Sequence, residues 1–450
     1  MSKIASSLVI ASLVLAGCQK KVSDLIDGQT ADQRLSAALV AYQNVLTQAP
    51  QGWILIEHTT GSAINQGATT TGQQAVFAYY VQFNDSNQVV MFSDFDSSMA
   101  AAPNTSSYRI KAVQRPALIF DTYSYIHVPC DPDPLISKSP FGPGLGWGAD
   151  FEFSFADNVD PTKLGDTINL IGNLNSSNAV LIKATQAQRE AYFNGSFAQS
   201  FVFDKIQNYF KHAFIGGQEI EFTPGVHSKV VDVNWLQSGA LKSASTVYYL
   251  TGGSINFVNP VSTGTQTIAS LDNIVWNASN STASISVNGT GSTLAGSITP
   301  LKNDASAATR WRNSALSAQS LWVSYNGFHV DGVDDAFGMA NLQYNGVPFY
   351  AYIYYPGVFT GGYDLLSPFF ANTATGTYPD YVTETYLQNI GGLGYFELAP
   401  LATTPAPVTE TNNLVSDPNG FYFVLKEDGS SYDMVSALDA KSWIDWQAYN

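Results

Sequence analysis

Charged residues are scarce in this chain, and basic residues are scarcer than acidic ones. Only 12% of the 450 residues are charged, and 20 Lys and Arg against 36 Asp and Glu give a formal net charge of −16. An average soluble domain has about 25% charged residues. Nucleic-acid binding depends on clustered Lys and Arg, so we expect no nucleic-acid partner. The aromatic content of 13% argues against a disordered chain.

Cysteine and catalytic motifs are scarce as well. The two cysteines, Cys18 and Cys130, are too few for a disulfide framework. The sequence has no Gly-Lys pair for a P-loop, no Gly-x-Ser-x-Gly turn, no His-Glu-x-x-His and no Cys-x-x-Cys. The five histidines are scattered, with no two within four residues of each other. We therefore predict no cofactor, no metal site and no assigned catalytic residue.

The N-terminus has the pattern of a bacterial lipoprotein signal. Lys3 precedes an uncharged, mostly apolar run from Ala5 to Leu15, which is too short to span a bilayer permanently. The run ends in Leu15-Ala16-Gly17-Cys18, two small residues before a cysteine that would accept a diacylglycerol. We predict a signal peptide over 1–17, lipidation of Cys18, and a polar tether over 18–31. The alternative is a secretory signal or a core segment that happens to contain Cys18.

Cleavage of the signal peptide would remove Lys3 and leave 19 basic against 36 acidic residues, a mature net charge of −17. Acyl chains contribute about 0.8 kcal/mol per buried CH₂, enough for two or three chains to hold the protein at a membrane. Gln19 stands where an aspartate would favour retention in the inner membrane, so we expect an outer-membrane location, at the cell surface or on the periplasmic face.

Cys130 remains after this assignment, within His127-Val-Pro-Cys-Asp-Pro-Asp133. A His–Cys–Asp metal site is conceivable there, but zinc sites need four ligands at a recognised spacing. The simpler interpretation is a free thiol in a proline-rich turn.

Hydrophobic periodicity predicts a mainly β protein with a few helices. Helices are expected over 32–48, 186–213, 304–319 and 438–447, the second of them interrupted by Gly195. Short strands separated by Gly-, Asn- and Pro-containing turns fill the rest, starting at Trp53, and their spacing favours an antiparallel meander or barrel over alternating βαβ units.

A boundary is expected near residue 300. The Ser-, Thr-, Asn- and Gly-rich hairpins of 277–299, followed by Pro300, resemble a linker or hinge. We therefore predict a larger N-terminal β-rich domain over 32–299 and a smaller β-rich C-terminal domain over 300–450. Each opens on a helix followed by a strand that begins near a tryptophan, so an internal duplication is an open alternative.

Tyrosines at alternating positions are candidates for ligand binding. On a strand, Tyr350, Tyr352 and Tyr354 would share one face, suited to stacking on sugar rings or to holding a peptide. Tyr123, Tyr125 and His127 would share a face in the same way. In both cases the alternative is a buried strand whose hydroxyls are satisfied within the protein.

Carboxylates supply a second set of candidates. Asp150 and Glu152 would lie on one face of a strand, and Asp331, Asp334 and Asp335 cluster in a Gly-containing loop. Two carboxyls across a cleft can hydrolyse a glycosidic bond, and an acidic loop can hold calcium. The aspartate loop lacks the twelve-residue EF-hand pattern, so a solvated turn is the simpler interpretation.

Several segments resemble a family of Bacteroidota lipoproteins known as domain of unknown function 4302. The resemblance is densest over 31–195 and rests on Gly52-Trp53, 77–83, 91–94, 107–111, 114–127, 131–134, 151–153, 172–181 and the final Trp443-Ile-Asp-Trp446. Cys130 departs from the residue expected at its position, which weakens a metal site further. The resemblance implies an envelope lipoprotein associated with nutrient-uptake systems that pair an outer-membrane transporter with a surface lipoprotein. It implies no catalytic residues.

Together these features lead us to expect a lipid-anchored envelope protein that binds an extracellular glycan or peptide for such an uptake system. Two alternatives stay open. One is a structural or adhesive surface module, and the other is a hydrolase that uses carboxylates such as Asp150, Glu152, Asp334 or Asp335.

Overall fold

The protein is mainly β, as the sequence predicts, and its strands form three sheets in succession along the chain. The structure is a computed structural model that describes residues 29–61, 74–112, 115–141, 144–156, 161–225, 228–372, 375–376, 378, 381, 383–400, 403–426 and 429–449. The first two sheets are closed eight-stranded barrels, and the third has ten strands. The span 32–299 therefore holds two barrels, and the third sheet lies within 300–450.

The first barrel is an antiparallel meander in which the last strand pairs with the first. Its strands are β1 Trp53–His58, β2 Val76–Phe83, β3 Gln88–Ser93, β4 Asn104–Ala112, β5 Pro116–Phe120, β6 Glu152–Phe155, β7 Thr167–Gly172 and β8 Asn178–Lys183. Its helices are α1 Ala31–Thr47, α2 Ser97–Ala101 and α3 Pro134–Ser137, with 3-10 helices at Tyr125–Cys130 and Pro161–Lys163.

Helix α1 packs against the first barrel. Its start is fixed by a capping box, in which the Thr30 hydroxyl accepts from the Gln33 amide and the Gln33 side chain accepts from the Thr30 amide. Tyr42 is buried and stacks on Phe155 at a centroid distance of 4.1 Å. The Trp53 indole donates to the carbonyl of Leu46 at 2.9 Å. The helix expected over 32–48 is therefore present, and it is packed on the barrel through its apolar side.

The segment between the barrels is only partly helical. Three short helices, α4 Gln186–Phe193, α5 Ser196–Gln199 and α6 Val202–Lys205, replace the continuous helix expected over 186–213. Gly195 separates the first two with a φ of 83°. The prediction is wrong beyond Lys205, because Phe210–Ile215 is a strand that pairs with neighbours on both sides. Pairing with distant strands outweighs local helix propensity there.

The second barrel follows directly. Its strands are β9 Phe210–Ile215, β10 Gln218–Pro224, β11 Val230–Gln237, β12 Ala240–Thr251, β13 Ser254–Ser262, β14 Thr267–Asn277, β15 Thr282–Val287 and β16 Thr290–Ser297. Closure comes from the antiparallel pairing of β16 with β9. The expectation that 277–299 is a linker or hinge is therefore wrong, because β15 and β16 are needed to close the barrel. Their polar residues alternate with buried ones such as Ile285 and Leu294.

The third sheet takes its strands from the C-terminal part of the chain. They are β17 Trp322–Ser324, β18 His329–Val330, β19 Gln343–Tyr344, β20 Val347–Tyr355, β21 Asp364–Phe370, β22 Thr383–Ile390, β23 Leu393–Pro400, β24 Phe421–Leu425, β25 Ser431–Ser436 and β26 Ser442–Ala448. Two helices, α7 Ala307–Ala318 and α8 Ala406–Val415, and a 3-10 helix at Met339–Asn341 accompany them. Strand β17 pairs with both β20 and β26, so the order of strands returns to its start.

The helix expected over 438–447 is wrong, since β26 occupies most of that span. Ser442, Ile444 and Trp446 are buried while Trp443 and Asp445 are less so, which is the two-residue alternation of a strand. Pairing of β26 with β25 fixes this register.

A buried ion pair joins the first barrel to the second. Asp94 follows β3 and is fully buried, and its carboxylate accepts from the Ala78 amide of β2 at 2.8 Å and the Leu250 amide of β12 at 2.9 Å. The Lys229 ammonium donates to the same carboxylate at 2.8 Å and to the Asp94 carbonyl. Lys229 has a φ of 54°, in the left-handed region that costs energy for residues other than glycine. One carboxylate therefore satisfies donors from both barrels.

The third sheet is attached through the residues that precede β9. Tyr209 donates its amide to the carbonyl of Ala440 at 2.6 Å and its hydroxyl to Asp433 at 2.7 Å. The Asn208 side chain donates to the carbonyl of Asp439 at 2.8 Å. The short segment between α6 and β9 therefore contacts both the second barrel and the third sheet.

Candidate functional site

A cavity of about 280 Å³ lies where the two barrels, the connecting helices and the third sheet meet. This volume is near the lower end of the range for small-molecule sites, which typically combine apolar walls with a few convergent polar groups. The walls are aromatic to a large extent, with Phe77, Trp147, Phe203, Tyr248 and Trp443 among the lining residues. We call this space the junction cavity.

Charged side chains from all three sheets converge on the junction cavity. The first barrel contributes Asp94, Asp96 and Lys138, the connecting segment Asp204, the second barrel Lys211 and Lys229, and the third sheet His329 and Asp334. Asp94 and Lys229 are engaged with each other, as described above. Asp96 caps α2 by accepting from the amides of Ser98 and Met99. Lys211, Asp204, His329 and Asp334 also have interactions within the protein, and they are the candidates for contact with a ligand.

Lys211 is the least ordinary of these groups. Its side chain is almost completely buried, and its ammonium donates to the carbonyl of Asn208 at 2.7 Å. Burial lowers the pKa of Lys211 to about 7, although the negative charge of Asp204 opposes the shift. The amine therefore changes its charge near neutral pH while lining a cavity, which is a common property of residues at functional sites.

His329 and Trp443 contribute from the third sheet. The imidazole stacks on the indole at a centroid distance of 3.8 Å, and its Nδ1 lies 2.6 Å from Oδ1 of Asp334. His329 and Trp443 face each other in the register of β18 and β26, so pairing of these strands holds the stack. This arrangement fixes the imidazole ring and presents a polar edge next to an aromatic surface.

The three candidate tyrosines of β20 do not share a face. Tyr352 and Tyr354 are 1% and 0% exposed and contribute to the core, while Tyr350 is 39% exposed. The Tyr352 hydroxyl donates to Asn412 at 2.9 Å, and the Tyr354 hydroxyl donates to Asp364. For Tyr352 and Tyr354 the alternative expectation therefore holds: both are buried, and their hydroxyls are hydrogen-bonded within the protein.

A β-bulge is the reason that simple alternation fails here. In the pairing of β20 with β21, Phe349 pairs with Phe370 and Ala351 with Phe369, so Tyr350 is an extra residue on its strand. Phe349 packs with Tyr352 and Tyr354 on the core side. The expectation of one face for all three tyrosines is wrong, because the extra residue changes the side to which Tyr350 belongs.

The second candidate set, Tyr123, Tyr125 and His127, lies outside the strands. Strand β5 ends at Phe120, and Tyr125 begins a 3-10 helix, so the alternation expected for Tyr123, Tyr125 and His127 is wrong. Tyr123 stacks on His127 at 5.4 Å and donates its hydroxyl to Asp131 at 2.8 Å. Tyr125 instead donates to the carbonyl of Ala102 at 3.2 Å. Tyr123 and His127 are therefore together on the first barrel, and Tyr125 is directed elsewhere.

Asp150 belongs to a buried polar cluster within the first barrel. Its carboxylate accepts from the amides of Leu174, Asn175 and Ser177 at 2.7 to 3.1 Å. A Cβ on Gly172 would lie 1.9 Å from Oδ2 of Asp150, so only glycine fits there. Glu152 starts β6 and accepts from the Asn173 side chain at 2.8 Å. Asp150 fixes the turn after β7, and both its oxygens are used in doing so.

Glu57 completes this cluster and was not anticipated from the sequence. Its carboxyl is fully buried and accepts from the Asp150 amide at 2.6 Å and the Ser177 hydroxyl at 2.9 Å. Burial raises the pKa of Glu57 to about 8, although these hydrogen bonds oppose the shift. Neither Glu57 nor Asp150 is accessible to a substrate.

The aspartate loop after β18 is held by its own contacts. Asp335 accepts from the amides of Met339 and Ala340 at 2.7 and 2.9 Å and so caps the 3-10 helix there. Asp331 lies 3.8 Å from the Lys441 ammonium. Within the described ranges, no group of three or more His, Cys, Asp or Glu residues is arranged to hold a metal ion.

Of the two cysteines, only Cys130 lies within the described residues. Cys130 is a free thiol whose pKa is raised well above its usual range by burial and by the nearby negative charge of Glu57. Cys18, the signal peptide and most of the tether lie outside the described residues. None of the helices in the described part of the chain is both long enough and apolar enough to cross a bilayer.

The chain belongs to a family of unknown function. The family described as "Domain of unknown function (DUF4302)" matches residues 26–278, which cover the first barrel and most of the second. No curated protein matches the chain.

Solved structures give only weak likenesses. The octameric penicillin-binding protein homologue from Pyrococcus abyssi is 11% identical, with a TM-score of 0.15 over 33% of this chain and 36% of that one. The Helicobacter pylori beta clamp bound to a DNA ligase peptide is 10% identical, with a TM-score of 0.17 over 93% and 98% of the two chains. The sliding clamp from Bartonella birtlesii is 9% identical, with a TM-score of 0.15 over 92% and 96%. Values this low carry no argument about function.

We expect Glu57 to make the stability of the protein fall as the pH rises. Between the ordinary pKa of 4.5 and about 8, the folded protein keeps a proton that the unfolded chain has lost. The free energy of unfolding should therefore fall by up to about 1.4 kcal/mol per pH unit in this window. Glu57→Gln keeps the acceptor oxygen and has no proton to lose, so urea unfolding at pH 5 and pH 8 should show a smaller decrease.

The matched control is Glu152→Gln, which changes a partly exposed carboxyl close to the same cluster. It should show the pH dependence of the wild type. Equal decreases in Glu57→Gln and wild type would contradict the account of this cluster.

Proposed function

We propose that this protein is a lipid-anchored binding protein of the bacterial envelope, which captures an extracellular glycan or peptide in the junction cavity for an outer-membrane uptake system. The observation that carries the proposal is the convergence of Lys211, Asp204, His329 and Asp334 on one aromatic-walled cavity. These residues come from two distant parts of the chain, and the cavity lies where the three sheets meet.

The lining of the cavity fits a polar ligand with some apolar surface. Aromatic rings pack on the C–H surfaces of a sugar or on peptide side chains, while carboxylates and amines form hydrogen bonds that fix orientation. A carboxylate has several acceptor sites and an ammonium three donors, so Asp204, Asp334 and Lys211 can bind a ligand's hydroxyl, amino or carboxylate groups in addition to their partners in the protein. Both a glycan and a peptide can form these hydrogen bonds. A peptide also carries a terminal carboxylate and amine, whereas a neutral glycan carries no charge.

The envelope location is supported by the N-terminal sequence. The Leu15-Ala16-Gly17-Cys18 motif follows an apolar segment of the length expected for a lipoprotein signal. With 36 acidic against 20 basic residues, the chain would be repelled by anionic lipids, so an acyl anchor rather than charge would hold it at a membrane. Membership of the family is compatible with this location.

Binding can be tested with the soluble mature chain starting at Gln19. We expect saturable binding to a member of a panel of neutral oligosaccharides or short peptides, measured by isothermal titration calorimetry. Lys211→Met should weaken that binding by about tenfold or more, because it removes a charged hydrogen-bond donor from the cavity. If the ligand carries a carboxylate bound by Lys211, affinity should also fall between pH 6 and pH 8 as the amine loses its charge.

Lys205→Met is the matched control, because Lys205 lies in the connecting segment just before β9 but does not line the cavity. Its ammonium donates to Gln199 at 3.3 Å. Absence of saturable binding throughout both panels, or equal affinity of wild type and Lys211→Met, would reject the junction cavity as the binding site.

The anchor is tested separately by Cys18→Ala in the full-length precursor. We expect the wild type to incorporate radiolabelled palmitate and to fractionate with the outer membrane, because the acyl chains provide its attachment. Cys18→Ala should lose the label and leave the membrane fraction. Cys130→Ala, which changes the other cysteine, should behave as the wild type. Label retained in Cys18→Ala would contradict the proposed anchor.

A further inference from the structure

A row of exposed aromatic rings crosses the outer side of the third sheet. Tyr325 packs edge to face against Tyr350 at 5.7 Å, Tyr350 against Phe369 at 6.3 Å, and Phe369 lies parallel to Tyr378 at 6.0 Å. The three tyrosines are 41%, 39% and 56% exposed. We call these four residues the tyrosine row. It is separate from the junction cavity, whose lining includes none of them.

The row lies on the side of the sheet opposite the main core. Helices α7 and α8 pack on the core side with Tyr352 and Tyr354, while Phe369 belongs to a smaller cluster with Ala351 and Ile353 on the other side. Tyr350 reaches Phe369 because the bulge makes it an extra residue on β20. Bulges are known to redirect a side chain, and here the bulge puts a large ring on the surface.

Uncharged groups surround Tyr325, at one end of the row, in the part of the chain that the structure describes. The pKa of Tyr325 is raised first by burial and then by the neighbouring hydroxyls of Tyr350 and Tyr449, with no charged side chain among the causes. The sequence has no Lys or Arg between Arg312 and Lys426. Phosphate or anionic lipid therefore has no cation to bind in this part of the chain, and a basic peptide would find no carboxylate within the row.

The type of residue also favours one kind of ligand. The exposed members of this row are tyrosines rather than aliphatic side chains. Each phenol offers an apolar ring face together with a hydroxyl that donates and accepts. A neutral sugar chain offers the complementary surface, with C–H faces on its rings and hydroxyls at their edges.

We propose that the tyrosine row is a binding site for a neutral glycan chain, distinct from the junction cavity. Sugar units would stack on the rings of Tyr325, Tyr350 and Tyr378, with hydrogen bonds from the phenols at their edges. This site goes beyond the proposed function, since it would bind a polysaccharide at the surface of the third sheet whether or not the junction cavity binds a fragment of the same polysaccharide.

The test is affinity electrophoresis of the mature chain in gels that contain amylose, xylan, mannan or a mixed-linkage β-glucan. We expect at least one polysaccharide to retard the protein and to give a dissociation constant. Tyr325→Ala/Tyr350→Ala should weaken binding by about tenfold or more, since two stacking surfaces are lost. Tyr325→Phe/Tyr350→Phe keeps the rings and should retain most of the affinity.

Two further variants keep the proposal falsifiable. Tyr378→Ala changes a residue outside the strands, so it should weaken binding without lowering the melting temperature. Tyr123→Ala removes a tyrosine of 59% exposure from the first barrel and should bind as the wild type.

No retardation by any of the four polysaccharides would overturn the proposal, even if a peptide or oligosaccharide binds in the cavity. Equal retardation of wild type, Tyr325→Ala/Tyr350→Ala and Tyr378→Ala would overturn it as well.

Discussion

The Asp94 carboxylate is the constraint on which the arrangement of the sheets depends. It is fully buried and accepts hydrogen bonds from Ala78 in the first barrel and from Leu250 and Lys229 in the second. An unpaired charge in such a place would be very costly, so carboxylate and ammonium each require the other. The side chain of Lys229 also lies over the rings of Phe77 and Tyr248, one from each barrel. Relative movement of the barrels would break all of these contacts together.

The junction cavity is a consequence of this attachment. Once the barrels are joined at Asp94, the short helices between them must pack in the remaining space, and Phe197, Phe201 and Phe203 become part of a core shared with the second barrel. The bonds of Asn208 and Tyr209 to the third sheet then place His329 and Trp443 opposite the barrels.

Local features of the fold could be predicted from the sequence. The capping box of Thr30 and Gln33, the apolar period of α1 and the two-residue alternation of most strands are properties of neighbouring residues. The mainly β class and the barrel-like first sheet follow from them. Where a segment's secondary structure depends on pairing with a distant strand, the local sequence pattern gave a wrong prediction. Phe210–Ile215 is a strand because β10 and β16 flank it, and Ser442–Ala448 because β25 does.

The candidate sites were harder to predict for the same reason. Asp94 and Lys229 are 135 residues apart, and nothing near either residue indicates the other. In the sequence, Glu57 is a single acidic residue in a mostly apolar strand. Its partners Asp150 and Ser177 are more than 90 residues away. The tyrosines were recognised as unusual, but a single bulge decides that Tyr350 is exposed while Tyr352 and Tyr354 are core residues. A bulge leaves no signal in the alternation itself.

The most direct measurement of the central claim is hydrogen–deuterium exchange in Asp94→Asn, compared peptide by peptide with the wild type. If Asp94 joins the barrels, exchange should increase both in the peptide that contains Ala78 and in the peptide that contains Leu250, and also in the connecting segment that lines the cavity. An increase confined to the first barrel, with Leu250 and residues 200–211 as protected as in the wild type, would contradict the account.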